Sequence, residues 1–485
     1  MRAGRFRLGL LAGGVALAAS GCATFDIDDA TEAANEEAAA FTGGELGLAR
    51  TEDERRERAE VAAELLAEPV DRDAAVRLAL VNSPAVQAML AERWAAGADA
   101  AQGGRIPNPV FAFERLATDD DAEVEIERLF AFGLLDVLTL PLRKRAADRG
   151  VERARLELVS SAVDRVTEVR RAWVEAVAAR QGLEYAERVT DSAADSAEMA
   201  RRLESVGNYS RLQRAREQLF HAEATAALAA ARHEALVARE ALVRLLGLDE
   251  AQAGALVLPD RLPDVPADPL QPDAVAASLN ERRLDVRLAK AELEGAARSR
   301  GLGRLTTFTD IEVGYRSATV FGEGEDEGPV DADGGRESAE GYELEVRVPL
   351  FDWGGMERAA LDARTLAAAS RYEDTLRSMG STLRESYSAY RTSHDLAAFY
   401  AEEVLPLREL ISEENVLQYN GMLIGVFELL ADSRDAIATV QAAIDAQRQF
   451  WLADAALQAS LTGRPATVAV VAAGGGADAG GDAPH

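Results

Sequence analysis

No proline interrupts the chain between Pro141 and Pro259. Within that interval the apolar residues Leu158, Ala162, Val166, Val169, Trp173 and Val177 step by four, four, three, four and four, so they line one face of a helix. The segment from Arg143 to Gly207 is rich in Ala, Glu and Arg and predicts a rod of about 60 residues, roughly 90 Å at 1.5 Å per residue. Such a rod is several times the length of a globular helix and needs packing partners along all of it. After the break at Gly207 a second helix runs from Ser210 to Leu246, where Gly247 is placed to end it. The two form an αα-hairpin.

The second half repeats the plan. Met356 to Tyr419 is helical in pattern, Asn420-Gly421 breaks it, and Val426 to Leu461 returns, with Pro406 predicting a kink in the outgoing arm. Residues 73–106 and 273–305 are helical as well, and Val86 and Val286 match at an offset of about 200. Each is followed by strand patterns. In the second half Ile311, Val313 and Tyr315 alternate with polar residues and Gly314, and Tyr342, Leu344, Val346, Val348 and Leu350 alternate with Glu343, Glu345, Arg347 and Pro349. In the first half NPVFAFERL and VEIERLFAF play the same part. The connector at 322–340 holds eight acids and one Arg, which predicts exposure to solvent.

Period-two alternation gives a sheet with one apolar and one polar face. In a soluble sandwich the apolar face meets another sheet; in an outer-membrane barrel it meets lipid, and the charged face lines a wet lumen. Four strands cannot close a barrel, and edges cannot stay open in lipid. Three chains giving four strands each would close an even, 12-stranded barrel.

The N-terminus adds an address. Arg2, Arg5 and Arg7 precede an apolar run from Leu8 to Ala19, too short to span a bilayer of about 30 Å. Ala19-Ser20-Gly21-Cys22 resembles a bacterial lipobox, which makes residues 1–22 a lipoprotein signal peptide and Cys22 a lipidation site; ordinary cleavage near Ala19 is the alternative. No later stretch reaches 18 consecutive apolar residues, so no membrane-spanning helix is expected. Residues 23–68, rich in Ala, Glu and Asp, read as an acidic tether, and residues 464–485 as a disordered tail.

The formal charge is -30, from 53 Lys plus Arg against 83 Asp plus Glu, which argues against nucleic acid as a partner. One cysteine excludes an internal disulfide and any Cys-rich metal site. His221, His233, His394 and His485 are scattered, and no zinc-protease, nucleophile-elbow, P-loop or dinucleotide motif occurs. The sequence therefore offers no enzyme active site, cofactor or metal centre.

The chain resembles the outer membrane efflux protein family typified by TolC. The likeness rests on Ala79-Leu80 with Asn82-Ser83-Pro84, on Arg283-Leu284-Asp285, and on the strand exit Val348-Pro349-Leu350-Phe351-Asp352-Trp353-Gly354. It rests also on Leu405-Pro406, on the breaks Val206-Gly207-Asn208-Tyr209-Ser210 and Tyr419-Asn420-Gly421-Met422-Leu423, and on Phe427 to Asp432. The first-half exit, Leu140-Pro141-Leu142-Arg143-Lys144-Arg145, lacks the Gly that is usual before Lys-Arg. The resemblance covers residues 70–463 and sets two structural repeats, 69–258 and 259–463.

It implies a mainly α fold with a small β part: a homotrimer in which long hairpins form an α-barrel and four strands per chain contribute to a 12-stranded outer-membrane β-barrel. Its implied partners are outer-membrane lipid, a periplasmic adaptor and an inner-membrane transporter, and its implied role is a passive exit duct for efflux or type I secretion. Val206, Gly207, Asn208, Tyr209 and Ser210, with Asn420, Gly421, Met422 and Leu423, become adaptor-docking tips, where Gly207 and Gly421 relax the backbone for the turn. Glu428 and Asp432, four apart and on one helix face, become a pore gate repeated by threefold symmetry. The competing reading is a periplasmic coiled-coil lipoprotein that scaffolds the envelope without a pore. It leaves the paired strands without a purpose.

Overall fold

The computed structural model describes residues 25–117, 123–280, 282–306, 311–322, 336–348 and 350–466. Cys22 lies outside them. The elements run α1 (Ile27–Thr42), α2 (Glu52–Leu65), α3 (Arg72–Asn82), α4 (Pro84–Gln102), β1 (Val110–Ala117), β2 (Glu123–Gly133), α5 (Leu134–Ser205), α6 (Arg211–Leu246), α7 (Glu250–Ala255), α8 (Pro272–Ala277), α9 (Leu284–Thr306), β3 (Ile311–Gly322), β4 (Arg336–Val346), α10 (Gly355–Phe399), a π turn (Tyr400–Val404), α11 (Leu405–Asn420) and α12 (Val426–Thr462). The protein is mainly α with a small β part. Among the described residues no single helix is long and apolar enough to cross a membrane.

The chain divides into two compact units, and each draws on both halves of the sequence. Among the described residues, the first comprises those within 25–26, 93–155 and 288–374 and contains the sheet, an antiparallel four-stranded ladder in the order β1-β2-β3-β4. The strands cover the alternating segments except at the last exit, where β4 ends at Val346 and leaves Val348 and Leu350 beyond it. β4 starts at Arg336, so the end of the acidic connector is itself strand, and Glu337 to Glu340 are exposed as expected. The expected first-half exit around Pro141 is instead helix: α5 begins at Leu134, directly after β2, and carries Pro141 within it.

The second unit comprises, among the described residues, those within 27–92, 156–287 and 375–466. Its core holds Leu78, Leu80, Leu90, Trp173, Leu242, Leu246, Phe450 and Leu457, all nearly inaccessible. Here the repeat becomes physical. α6 ends at Gly247, in the left-handed conformation at φ 67, and α12 ends at Gly463 at φ 94. Each glycine lies against the break between two shorter helices. A Cβ on Gly247 would come within 2.5 Å of Pro84 Cδ and 2.7 Å of Ser83 Cα; one on Gly463 would come within 2.7 Å of Asp285 Oδ1 and 2.9 Å of the Leu284 nitrogen. The flanking side chains seal both joints. Asn82 Nδ2 donates to Leu246 O at 3.2 Å and Gly247 O at 3.0 Å, and buried Arg283 donates to Ser460 O at 2.8 Å while its guanidinium grips Asp285. The motifs at 82–84 and 283–285 are thus the seats on which the returning helices end.

Residues 23–68 depart from the expected tether. α1 buries Ile27, Ala30, Ala34, Ala38 and Phe41, and a loop residue, Leu46, is buried after it. Asn35 clasps Leu46, accepting from its N–H at 2.8 Å and donating to its carbonyl at 3.0 Å. The Arg170 guanidinium sits 4.6 Å over the Phe41 ring and donates to Phe41 O at 2.6 Å. α2 starts on a capping box between Thr51 and Glu54. The apolar stripe is built mostly of alanine, with Ala30, Ala34 and Ala38 at four-residue spacing on the buried face.

In the second hairpin a π turn stands just before Pro406, where the sequence predicts a kink. Pro406 has no N–H to offer the carbonyl of Glu402, and its ring crowds that turn. The backbone widens just upstream, where Leu405 N–H bonds to Tyr400 O, five residues back.

Candidate functional site

The two hairpin turns share one backbone device and differ in the residue that bears it. At the first tip Gly207 N–H bonds to Glu204 O and Asn208 N–H to Leu203 O, both at 2.9 Å, which closes a Schellman motif with Gly207 left-handed at φ 79. Ser210 then caps α6 in a reciprocal pair with Gln213. Arg214 reaches across the hairpin to Glu204 at 2.8 Å. Val206 is 68% exposed.

At the second tip Met422 N–H bonds to Tyr419 O and Leu423 N–H to Gln418 O, again at 2.9 Å. The left-handed residue is Met422 at φ 60, and Gly421 sits at φ -76. This corrects the expectation that Gly421 supplies the turn: the motif closes one residue later, so an L-residue carries the strain. Asn420 is the last residue of α11, and Gly425 precedes α12 without a side-chain cap. Met422 is 93% and Leu423 78% exposed, so the strained turn presents two apolar side chains to solvent.

The two proposed gate carboxylates have different surroundings. Glu428 is exposed in the first turn of α12. Asp432 is buried: Arg408 donates to its Oδ1 at 2.6 Å and also to its carbonyl, and Ser412 Oγ donates to Oδ2 at 2.9 Å. Its charge ties α12 to α11 inside the hairpin, whereas Glu428, the other carboxylate that the sequence reading assigns to a pore gate, is exposed.

A charge pair that sequence reasoning missed lies beside the tips. Glu217 is 1% exposed and is met by Arg434 at 2.8 Å, whose guanidinium lies 4.6 Å from the Phe220 ring. It joins α6 of the first hairpin to α12 of the second. Glu217 Oε2 and the Tyr209 hydroxyl are buried without a hydrogen-bond partner among the described residues. Burial pushes the Tyr209 phenol up, and the Glu217 charge adds to the effect. The signal was present: Glu217 shares the α6 stripe with Ala224 and Leu228, and an acid on an apolar stripe requires a buried partner.

The sheet in the other unit has two unlike faces. Ladder register sets Phe111, Phe130, Tyr315 and Tyr342 in one row across all four strands. The rings of Tyr315 and Tyr342 meet edge to face at 5.9 Å. Phe132, Val313 and Leu344 form the next row on the same face, and Tyr342 is 90% and Leu344 65% exposed. The opposite face carries Arg316 between Glu127 at 3.6 Å and Glu343 at 3.0 Å, with Gly314 allowing Leu129 to pack close. Strands of 11 or 12 residues in β2, β3 and β4 match the roughly 9–11 that a tilted membrane strand needs.

No protein-family model and no curated protein sequence matches this chain. Solved structures do. The outer membrane protein VceC of Vibrio cholerae aligns with a TM-score of 0.63 at 17% identity, covering 83% of this chain and 96% of that one. The fold is that of TolC-type outer membrane channels. The Campylobacter jejuni outer membrane channel CmeC superposes with a TM-score of 0.63 at 12% identity, over 88% of this chain and 91% of its own. The open state of the Neisseria gonorrhoeae outer membrane channel MtrE gives 0.62 at 18% identity, over 83% and 88%. The TolC-type fold thus accounts for both hairpins and for the sheet.

Proposed function

We infer that the chain is one subunit of a homotrimeric outer-membrane duct that conducts cargo passively as the exit of a tripartite efflux or type I secretion system. The observation that carries this reading is the divided sheet. Its aromatic rows suit hydrocarbon, its acidic face suits a wet lumen, and β1 and β4 are edges that no bilayer tolerates open. Three such sheets make a closed 12-stranded ring. Cys22, once lipidated, would anchor the N-terminus in the same membrane. Val206, Tyr209, Met422 and Leu423 offer apolar contacts at the tips for a periplasmic adaptor, and an inner-membrane transporter supplies the energy.

In this reading Glu428 supplies the carboxylate ring at the closed mouth, while the Glu217–Arg434 pair couples the hairpins that must move apart. Planar-bilayer recording of the purified protein tests it. Discrete channels are expected, with Glu428→Gln raising conductance or reducing cation preference. Absence of channels rejects the duct; channels indifferent to Glu428→Gln reject that residue as the gate.

A further inference from the structure

Each hairpin leaves one apolar seam exposed. On α6 the residues Leu212, Ala215, Leu219, Ala222, Ala226 and Ala229 step alternately by three and four, the spacing of a coiled-coil seam, and all are exposed. They lie on the side of the helix away from Glu217, Ala224 and Leu228, which are buried. On α11 Leu407, Leu410, Glu414 and Leu417 repeat the spacing and are exposed too. Their side of the helix is away from Arg408 and Ser412, which hold Asp432 of α12. The charges beside the two seams are opposite. Between Arg211 and Ala222 the one acid, Glu217, is buried, while Arg211 and Arg216 are exposed. Between Phe399 and Asn420 the one base, Arg408, is held by Asp432, while Glu402, Glu403, Glu409, Glu413 and Glu414 are all exposed.

We propose that α6 of one copy packs antiparallel on α11 of a second copy of this chain. The proposal rests on the reading of the chain as a subunit of a closed ring, and it names the helices that meet there. Glu217 and Arg434 pair at similar distances from the starts of their helices, Arg211 and Val426, so the two tips of one copy stand level. Copies in a closed ring stand level with one another, which sets the start of α6 beside the end of α11 at Asn420. The register then follows, because the steps up α6 mirror the steps down α11. Leu212 meets Leu417, Ala215 meets Glu414, Leu219 meets Leu410 and Ala222 meets Leu407, four rungs over about 15 Å. Alanines lie opposite larger side chains, and Arg216, next to Ala215, comes within reach of Glu414. A second copy fits the seam because spacing and charge are both complemented by the chain's own other edge. Such a contact is head to tail: each copy offers α6 to one neighbour and α11 to the other, as a ring requires. The sheet has the same asymmetry, with β1 from the first half and β4 from the second as its edges.

The full chain carrying Leu219→Cys and Leu410→Cys, with Cys22→Ser so that no other thiol competes, is purified in detergent, oxidised and run on a non-reducing gel. A ladder of disulfide-linked dimers and trimers is expected, since a matched rung brings two Cβ atoms within disulfide reach. The ladder should be lost with either cysteine alone, and with Leu219→Cys plus Leu417→Cys, which is one heptad out of register. No ladder from the matched pair, a dimer from Leu219→Cys alone, or a disulfide closed within one chain overturns the seam. A benzophenone amino acid in place of Leu219 in the otherwise unaltered chain decides the matter even if the cysteine variants fail to fold. Illumination should give a dimer band whose cross-linked peptide, read by mass spectrometry, contains residues 407–414. Capture of any other region, or of no second copy, overturns the proposal. Bilayer recording of the same benzophenone-bearing protein separates the two readings: channels without α6–α11 links overturn the seam and leave the duct standing, and absence of both overturns both.

Discussion

Met422 is strained, and glycine in its place should stabilise the second tip. At φ 60 it occupies the left-handed region, which costs an L-residue about 1–2 kcal/mol. Glycine avoids that clash but loses about 0.5–1 kcal/mol of extra backbone entropy on folding. The side chain is 93% exposed, so its removal forfeits almost no packing. The balance favours Met422→Gly by about 0.7 kcal/mol, near a threefold shift in a local opening equilibrium. Native-state hydrogen exchange reads this at the Leu423 amide, whose bond to Gln418 O closes the turn. Exchange there should slow about threefold, and Gly207→Met at the first tip should speed Asn208 exchange by a similar factor. If Met422→Gly leaves Leu423 unchanged or faster, the strain argument is wrong. Under the proposed function the same variant loses an apolar docking contact, so adaptor binding weakens as the turn stabilises.

Arg434→Leu leaves Glu217 buried and uncompensated and should cost about 3–5 kcal/mol, whereas adding Glu217→Leu should restore most of it; thermal unfolding of the two variants distinguishes this from additive losses. Gly247→Ala and Gly463→Ala each combine a left-handed backbone with contacts under 3.0 Å and should destabilise by about 2–4 kcal/mol in denaturant titrations, while Gly254→Ala, with nothing within 4 Å, is neutral or better. Asp454 lies 3.2 Å from Arg72, yet burial outweighs that charge and raises its carboxyl. The neutral form is therefore favoured on folding, so its contribution is full below the ordinary carboxylate range and is lost as pH rises through the raised value. Asp454→Asn should remove that slope from a plot of stability against pH, and an unchanged slope contradicts the assignment.

Much of the architecture was legible because it rests on periodicity. The stripe through Leu158 and Trp173, the alternation around Tyr315 and Tyr342, and the breaks at Gly207 and Gly421 are patterns that local sterics and burial impose directly. What escaped depends on partners distant in sequence or on small side chains. The α1 stripe is mostly alanine and gains its burial from the helices beneath it. Asp432 looks like Glu428 in the sequence, and only Arg408 and Ser412, brought opposite by the hairpin, separate them. The left-handed position at the second tip went to Met422 because helix α11 runs through Asn420 before the motif closes. Glu217 signalled its need for a cation by its place on an apolar stripe, yet nothing local named Arg434. Pro141 falls inside α5 rather than at a strand exit because β2 ends at Gly133 and helix follows without a loop.

The central claim is that one face of the sheet meets hydrocarbon and the other water. A nitroxide scan from residue 340 to 346 in the reconstituted protein tests this directly, by comparing collisions with lipid-soluble oxygen and with a water-soluble nickel chelate. Labels at Tyr342, Leu344 and Val346 should favour oxygen, and those at Glu343 and Glu345 the chelate, with a period of two. A scan without alternation, or with all positions equally open to the chelate, would mean that these strands do not line a membrane pore.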